Sequence, residues 1–111
     1  MTNRALLAAT VSEAQWESTV VQYARVRGWR CFHVPKVQNV DGNYLTVVSA
    51  DGAGWPDWQF VRDRIVYAEL KTMTGRMSKK QKSWMVSLRA AGAEFHVWRP
   101  SSWPEVERTL R

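Results

Sequence analysis

Three residues near the middle of the chain have the types and spacing to hold a metal ion against a phosphodiester. Asp57 ends the string Gly54-Trp55-Pro56-Asp57, and after eleven intervening residues come Glu69-Leu70-Lys71. Two carboxylates brought close together repel unless something positive lies between them. Magnesium suits that place, because it takes hard oxygen ligands and keeps several of its waters, and manganese is expected to substitute. Such an ion polarises a phosphate and lowers the pKa of a bound water. Lys71 could orient or deprotonate the attacking water, or neutralise charge developing on the phosphorane, and the Leu70 carbonyl could supply a further ligand. Taken singly, Glu-x-Lys is commonly a surface ion pair and Pro-Asp is equally common. The combination on neighbouring strands is what carries information.

For these groups to meet, particular elements must position them. Residues two apart on a strand share a face, so Glu69 and Lys71 project together while Leu70 turns to the opposite side. Arg62-Asp63-Arg64 reads as a tight turn between the apolar runs Trp58–Val61 and Ile65–Leu70. An antiparallel pair closed there matches residues whose numbers sum to about 126, which sets Asp57 opposite Glu69. Pro56 fixes the backbone before Asp57, and Gly54 permits a sharp entry into the strand.

The remaining elements follow from local signals. Ser12 with Gln15 forms a capping box, Trp16, Val20, Tyr23 and Ala24 recur at helical spacing, and Gly28 supplies the stop, which predicts a helix over Ser12–Arg27. Trp29–Val34 reads as a strand ending at Pro35. Val40-Asp41-Gly42-Asn43 signals a hairpin within 36–54, with Tyr44–Val48 as the returning strand. Ser78 and Gln81 make a second capping box opening a helix that carries Trp84, Leu88 and Ala91 on one face, with Gly92 beyond its end. Glu94–Trp98 reads as a strand, and Ser102-Trp103-Pro104-Glu105 as the cap of a last helix reaching Leu110. The expected order, α-β-(hairpin)-β-β-α-β-α, makes an α/β domain with a mixed sheet flanked by helices, and its β-α-β step a right-handed crossover.

One domain, 1–111, accounts for a chain of this length. Hydrophobic residues at 45% are too many for a disordered tail. The seven tryptophans are expected mainly in the core, with one or two left over for base stacking. The single cysteine, Cys31, excludes an internal disulfide, fits a reducing compartment and is expected to be an inert buried thiol. With only His33 and His96 beside it, zinc-ligand spacing is absent, and both histidines are expected to be structural. The apolar patch Ala5–Ala9 is too short for a signal peptide or membrane span, so a cytoplasmic protein is expected.

The net charge of +6 is informative for where it lies. Between Leu70 and Ala93 stand six basic residues (Lys71, Arg76, Lys79, Lys80, Lys82, Arg89) and no acid, while the other ten basic residues are balanced by the ten acids. A patch of this kind attracts polyanions through phosphate contacts and counterion release, or is simply a solvated helix face. Arg76, Lys79, Lys80 and Lys82 are the candidate DNA-binding residues.

Glu17, Gly54-x-Pro56-Asp57, Ala68-Glu69-Leu70-Lys71-Thr72, Gly75-x-x-Ser78-x-x-Gln81-x-x-Trp84 and Leu88-x-x-x-Gly92 together resemble the VRR-Nuc family of the PD-(D/E)xK nuclease superfamily. The resemblance spans about Ser12 to Pro100, with the motifs in the expected order. It implies a restriction-endonuclease-like αβββαβ core, in agreement with the pattern above. It further implies a magnesium-dependent endodeoxyribonuclease that cuts branched DNA such as four-way junctions, works as a homodimer, and is encoded by a bacterium or phage and found in the host cytoplasm. Carried onto this chain, Asp57 and Glu69 would be metal ligands and Lys71 the catalytic lysine. The superfamily's acidic residue on the first helix falls on Glu17. Relatives often place an acid four residues earlier, here Glu13, one turn away on the same face. Gln81 matches a position that could bind a metal-bound water or a phosphate, besides its role in the capping box.

The alternatives are a catalytically silent DNA-binding protein on the same fold, and an interaction protein whose basic patch meets an acidic partner. A homodimer is also expected from an excess of bulky apolar groups, Trp55, Trp58, Trp103, Tyr44 and Leu45, competing for a small interior. The hairpin around Asp41-Gly42 is the candidate element for reaching the second copy.

Overall fold

The computed structural model describes residues 8, 10–34, 36–38, 40–42, 44–46 and 49–111, the short runs 36–38 and 44–46 in backbone only. Its elements run α1 (Glu13–Val26), β1 (Arg30–His33), β2 (Lys36–Gln38), β3 (Tyr44–Thr46), β4 (Trp58–Val61), β5 (Ile65–Leu70), α2 (Lys79–Ala90), β6 (Glu94–Trp98), a 3-10 turn (Pro100–Ser102) and α3 (Trp103–Leu110). The main sheet has the order β1-β4-β5-β6. Its first three strands are antiparallel and β6 joins parallel to β5 through the α2 crossover. The domain is therefore α/β with a mixed sheet between helices, compatible with a restriction-endonuclease-like core.

Local chemistry accounts for the boundaries. At Ser12 and at Ser78 both halves of the capping box form, each serine accepting from the backbone of the glutamine three residues on. Gly28 leaves α1 with φ of +88°, a conformation that side chains with a Cβ resist. β2 and β3 pair as a separate antiparallel ribbon, Lys36 facing Thr46, which is the hairpin expected from Asp41-Gly42. Asn43 of that turn, Val47 and Val48 at the end of its returning strand, and most of the Ala5–Ala9 patch lie outside the described residues.

Alternation divides the sheet into two faces. Even-numbered residues of β4 and β5 (Trp58, Phe60, Val66, Ala68, Leu70) and Trp98 of β6 form one core with Trp16, Val20, Val21 and Ala24 of α1 and with Val106 and Leu110 of α3. Trp16 donates its indole N–H to the Trp98 carbonyl at 3.0 Å, and Trp29 donates to the Leu110 carbonyl at 2.9 Å. Odd-numbered residues of the same strands face α2. That helix buries no residue completely, and it is held at its polar start and by Trp84 rather than by a packed apolar stripe.

Two expectations need correction. Ser102 does not cap α3 with its side chain; its hydroxyl accepts from Arg99 N at 3.1 Å and closes the 3-10 turn that precedes the helix. The bulky aromatics are also better buried than a small core suggested. Trp58 is buried, Trp103 packs on the core edge-on to Trp16 and Tyr23, and Trp55 packs edge-on to Tyr67 and Trp84. The side chains of Tyr44 and Leu45 lie outside the described residues. The exposed apolar groups are instead aliphatic or at the sheet's edge, among them Phe32, Val61 and Ile65. These lie on the half of the α2 face farthest from the helix, since Val61 pairs with both Arg30 and Ile65. Among the described residues no helix is long and apolar enough to cross a membrane.

Candidate active site

The turn at Arg62–Arg64 sets the register that builds the site. Trp58 faces Ala68 and Val61 faces Ile65, so one further step places Asp57 opposite Glu69, with both side chains on the α2 face. The same register sets Leu70 opposite Pro56, which has no N–H to offer that carbonyl in the ladder. Asp57 is tied into the sheet through its own carbonyl, which accepts from Val34 N at 2.9 Å.

Glu69 is fully buried and Asp57 nearly so, the only buried charged residues in the described core. Burial and the neighbouring Asp57 carboxylate push the Glu69 carboxyl from its ordinary 4.5 up to about 8, with the Lys71 ammonium pulling the other way. One Glu69 oxygen, Oε1, is buried without a hydrogen-bond partner among the described residues. The other, Oε2, accepts from Gln81 Nε2 at 3.2 Å. The amide of Gln81 is oriented by the capping box, because its Oε1 accepts from Ser78 N at 2.9 Å and its N–H₂ must then face Glu69. Gln81 thus fills its capping-box role and also holds a Glu69 oxygen. Lys71 is half-buried at the end of β5, its backbone N–H donating to the Trp98 carbonyl at 2.9 Å.

The loop that delivers Asp57 is clamped to α2. Trp84 donates its indole N–H to the carbonyls of Asp51 (3.0 Å) and Ala53 (3.1 Å), while its ring packs edge-on to Trp55 at 5.0 Å. Gly54 has φ of +88°, and a Cβ there would lie 2.5 Å from the Lys80 carbonyl carbon. The glycine is therefore required both by backbone conformation and by contact with the first turn of α2. The sequence pointed to Gly54 from its place before Pro56-Asp57 and to Trp84 as a motif and helix-face residue, but not to the clamp that Trp84 makes on the loop.

Glu17 is brought to His33 rather than to the carboxylate pair, with Oε2 at 4.0 Å from Nε2. The His33 ring stacks on Trp58 at 4.3 Å, on the sheet face that α1 covers. Glu13 is exposed in the first turn of α1. His96 is held between Glu94 and Glu105, at 2.9 and 3.1 Å, and Cys31 is half-buried, its thiol pushed up by burial. Arg76, Lys79, Lys80 and Lys82 are exposed, and none is in an ion pair among the described residues.

No group of three or more His, Cys, Asp or Glu among the described residues is arranged to hold a metal. A magnesium ion asks for less, one or two carboxylates with waters and carbonyls completing the shell. The donors at this place fit that requirement. All are oxygens, one buried carboxylate oxygen has no hydrogen-bond partner among the described residues, and a cation would offset the burial and the Asp57 repulsion that hold Glu69 toward its protonated form. No family model, curated protein or solved structure matches this chain.

Proposed function

We propose that the protein is a magnesium-dependent endodeoxyribonuclease of the VRR-Nuc type, hydrolysing phosphodiester bonds in branched DNA such as four-way junctions. The observation that carries this reading is the buried Asp57–Glu69 pair, with Glu69 raised to about 8 and one of its oxygens without a hydrogen-bond partner among the described residues. Such an arrangement works against folding, and perturbed carboxylates of this kind concentrate at functional sites. Asp57, Glu69 and the Leu70 carbonyl would hold the ion, whereas Glu17, beside His33 on the other sheet face, takes no part in this arrangement. When bound, magnesium or manganese would polarise the phosphate and acidify a water. Lys71 sits two residues from Glu69 on the same face, placed to orient that water or to balance charge on the phosphorane. Gln81 holds one Glu69 oxygen and so fixes the carboxylate's rotation. Arg76, Lys79, Lys80 and Lys82 would meet the DNA backbone through phosphate contacts that carry no sequence information.

A second copy of the chain would complete the arrangement, because a two-fold dimer presents two sites to the two strands of a symmetric junction. Exposed Phe32, Val61 and Ile65 support that pairing better than the tryptophans do. A cytoplasmic setting, bacterial or phage-encoded, accompanies the reading.

Incubating the protein with labelled junction, flap and plain duplex in magnesium tests the proposal. Cleavage of the junction that disappears on chelation is the expected result. A salt-sensitive gel shift with no cleavage of any substrate would instead leave a silent DNA-binding protein on the same fold.

A further inference from the structure

Beyond Lys71 the chain turns back toward α2 through Thr72–Met77, and Arg99 pins that return. Its Nη1 donates to the carbonyls of Thr72 (2.5 Å) and Gly75 (2.6 Å). Within the loop, Thr72 Oγ1 accepts from Gly75 N at 3.0 Å. Arg99 is itself seated by its backbone N–H on Ser102 Oγ, and its side chain is half-buried. The guanidinium is thus fixed along one edge, while Nε and Nη2 donate to no group among the described residues.

Arg99, Arg76, Lys82 and Met77 line an open cleft of about 520 Å³. Among the described residues, three cations and no acid face that space. Like charges set together gain nothing for folding and favour an anion between them. An arginine already immobilised by backbone carbonyls loses little further freedom on binding, and its planar fork matches two oxygens of a phosphate. The cleft also lies beside the carboxylate pair. Gln81, which touches Glu69, and Lys82, which lines the cleft, are consecutive residues in the first turn of α2. Both lie at the carboxyl ends of the parallel strands β5 and β6, where α/β folds commonly place ligands.

We propose that this cleft is a phosphate subsite for a nucleic-acid strand, in which Arg99 takes the phosphate oxygens and Arg76 and Lys82 flank them. The assignment rests on the nucleic-acid reading above and deepens it, naming the place where the strand is gripped next to the bond to be cut. Arg99, which sequence reasoning did not select, becomes its central residue.

Titrating the Glu69→Gln protein, without metal, with an eight-nucleotide oligothymidylate and with inorganic phosphate tests this by ¹⁵N NMR. Saturable shifts of the Arg99 and Arg76 Nε–H resonances and of the Gly75–Met77 amides are expected with both probes. The double variant Arg76→Ala/Lys82→Ala leaves the Arg99 clamp in place. It should weaken oligonucleotide binding on the order of tenfold and reduce the salt slope by about 1.4, roughly 0.7 for each phosphate contact on a single strand. Unmoved Arg99 resonances, or unchanged affinity in the double variant, would overturn the assignment. The two readings separate cleanly. Junction cleavage by the wild type with Arg99 unmoved rejects only the subsite, whereas shifts at Arg99 without cleavage under any condition reject only the nuclease.

Discussion

The β4–β5 hairpin has two ends that treat charge in opposite ways. At the turn, every cation is partnered. Arg62 donates to Asp63 at 2.7 Å and to the carbonyls of Arg27 (2.9 Å) and Arg111 (3.2 Å). Arg64 donates to Glu94 at 2.7 Å and to the Thr109 carbonyl at 2.8 Å. Both guanidinium groups lie over the Trp29 ring, at 4.4 and 5.1 Å. These arginines cap the carbonyl ends of α1 and α3, where helix dipoles favour a cation. At the other end, only a few residues away, two carboxylates are buried against each other and one of them is forced toward its neutral form. One end lowers the energy of the fold, and the other stores tension that a ligand can relieve. A single strand pair can do both because register fixes the two ends together while their chemistry stays separate.

Substitution at the two ends should therefore have opposite signatures. The largest effect is expected from Asp57→Ala or Glu69→Gln, either of which should reduce junction cleavage by roughly a thousandfold or more, the scale of losing a group from a catalytic centre. Stability should move the other way. Glu69 binds its proton more tightly when folded, so the wild-type protein without metal should lose stability as pH rises from 4.5 to about 8, then level off. Glu69→Gln should flatten that slope and melt higher than wild type at pH 8. Thermal melts across this range, set beside cleavage assays, check both halves. A parallel decline in the two proteins would mean that Glu69 is not the source.

Lys71 sharpens the site half of the comparison. Lys71→Ala should lose cleavage far more than magnesium binding, and Lys71→Arg should fail to restore it fully, since a guanidinium does not release its proton and reaches differently. Separate measurements of turnover and of metal affinity distinguish these. Near-normal turnover by the arginine variant would leave Lys71 a purely electrostatic role.

Gly54→Ala should cost on the order of 2 kcal/mol in denaturant unfolding, because the left-handed backbone and the Lys80 contact both resist a Cβ. It should also lower cleavage, since the same loop delivers Asp57. The smallest effect belongs to the turn. Arg62→Ala or Arg64→Ala should each cost about 1 kcal/mol, part-exposed as they are, and leave turnover per folded molecule unchanged. A loss of activity there without a loss of stability would mean that the two ends are coupled after all.

Much of this arrangement was legible in the residues. Arg62-Asp63-Arg64 is a turn by composition, and its centre fixes which residue of β4 meets which of β5, so the Asp57–Glu69 juxtaposition followed from counting. The capping boxes at Ser12 and Ser78 marked two helix starts. What stayed hidden depends on distances between elements remote in sequence. Gln81 reads as a cap from its neighbours, and only the placement of α2 across the sheet reveals its second bond to Glu69. Arg99 carries no local signal, because its partners Thr72 and Gly75 belong to another loop. Ser102 looked like a helix cap, but Pro100 starts a 3-10 turn whose own backbone claims the hydroxyl. Glu17 was aligned with the site by helical position, yet His33, stacked on Trp58, stands at its side chain. The burial of Trp58 and the partial burial of Trp55 and Trp103 came from ring-to-ring packing that composition does not describe.

The central claim is that the Asp57–Glu69 pair is built for a divalent cation. Isothermal titration of manganese into the wild-type protein, Asp57→Asn and Glu69→Gln at pH 8 tests it most directly. One ion per chain is expected for the wild type, with affinity at least about tenfold weaker in both variants, since each removes a charged oxygen ligand. Equal affinity in all three proteins would contradict the account, because the tension between these carboxylates would then have no ligand to relieve it.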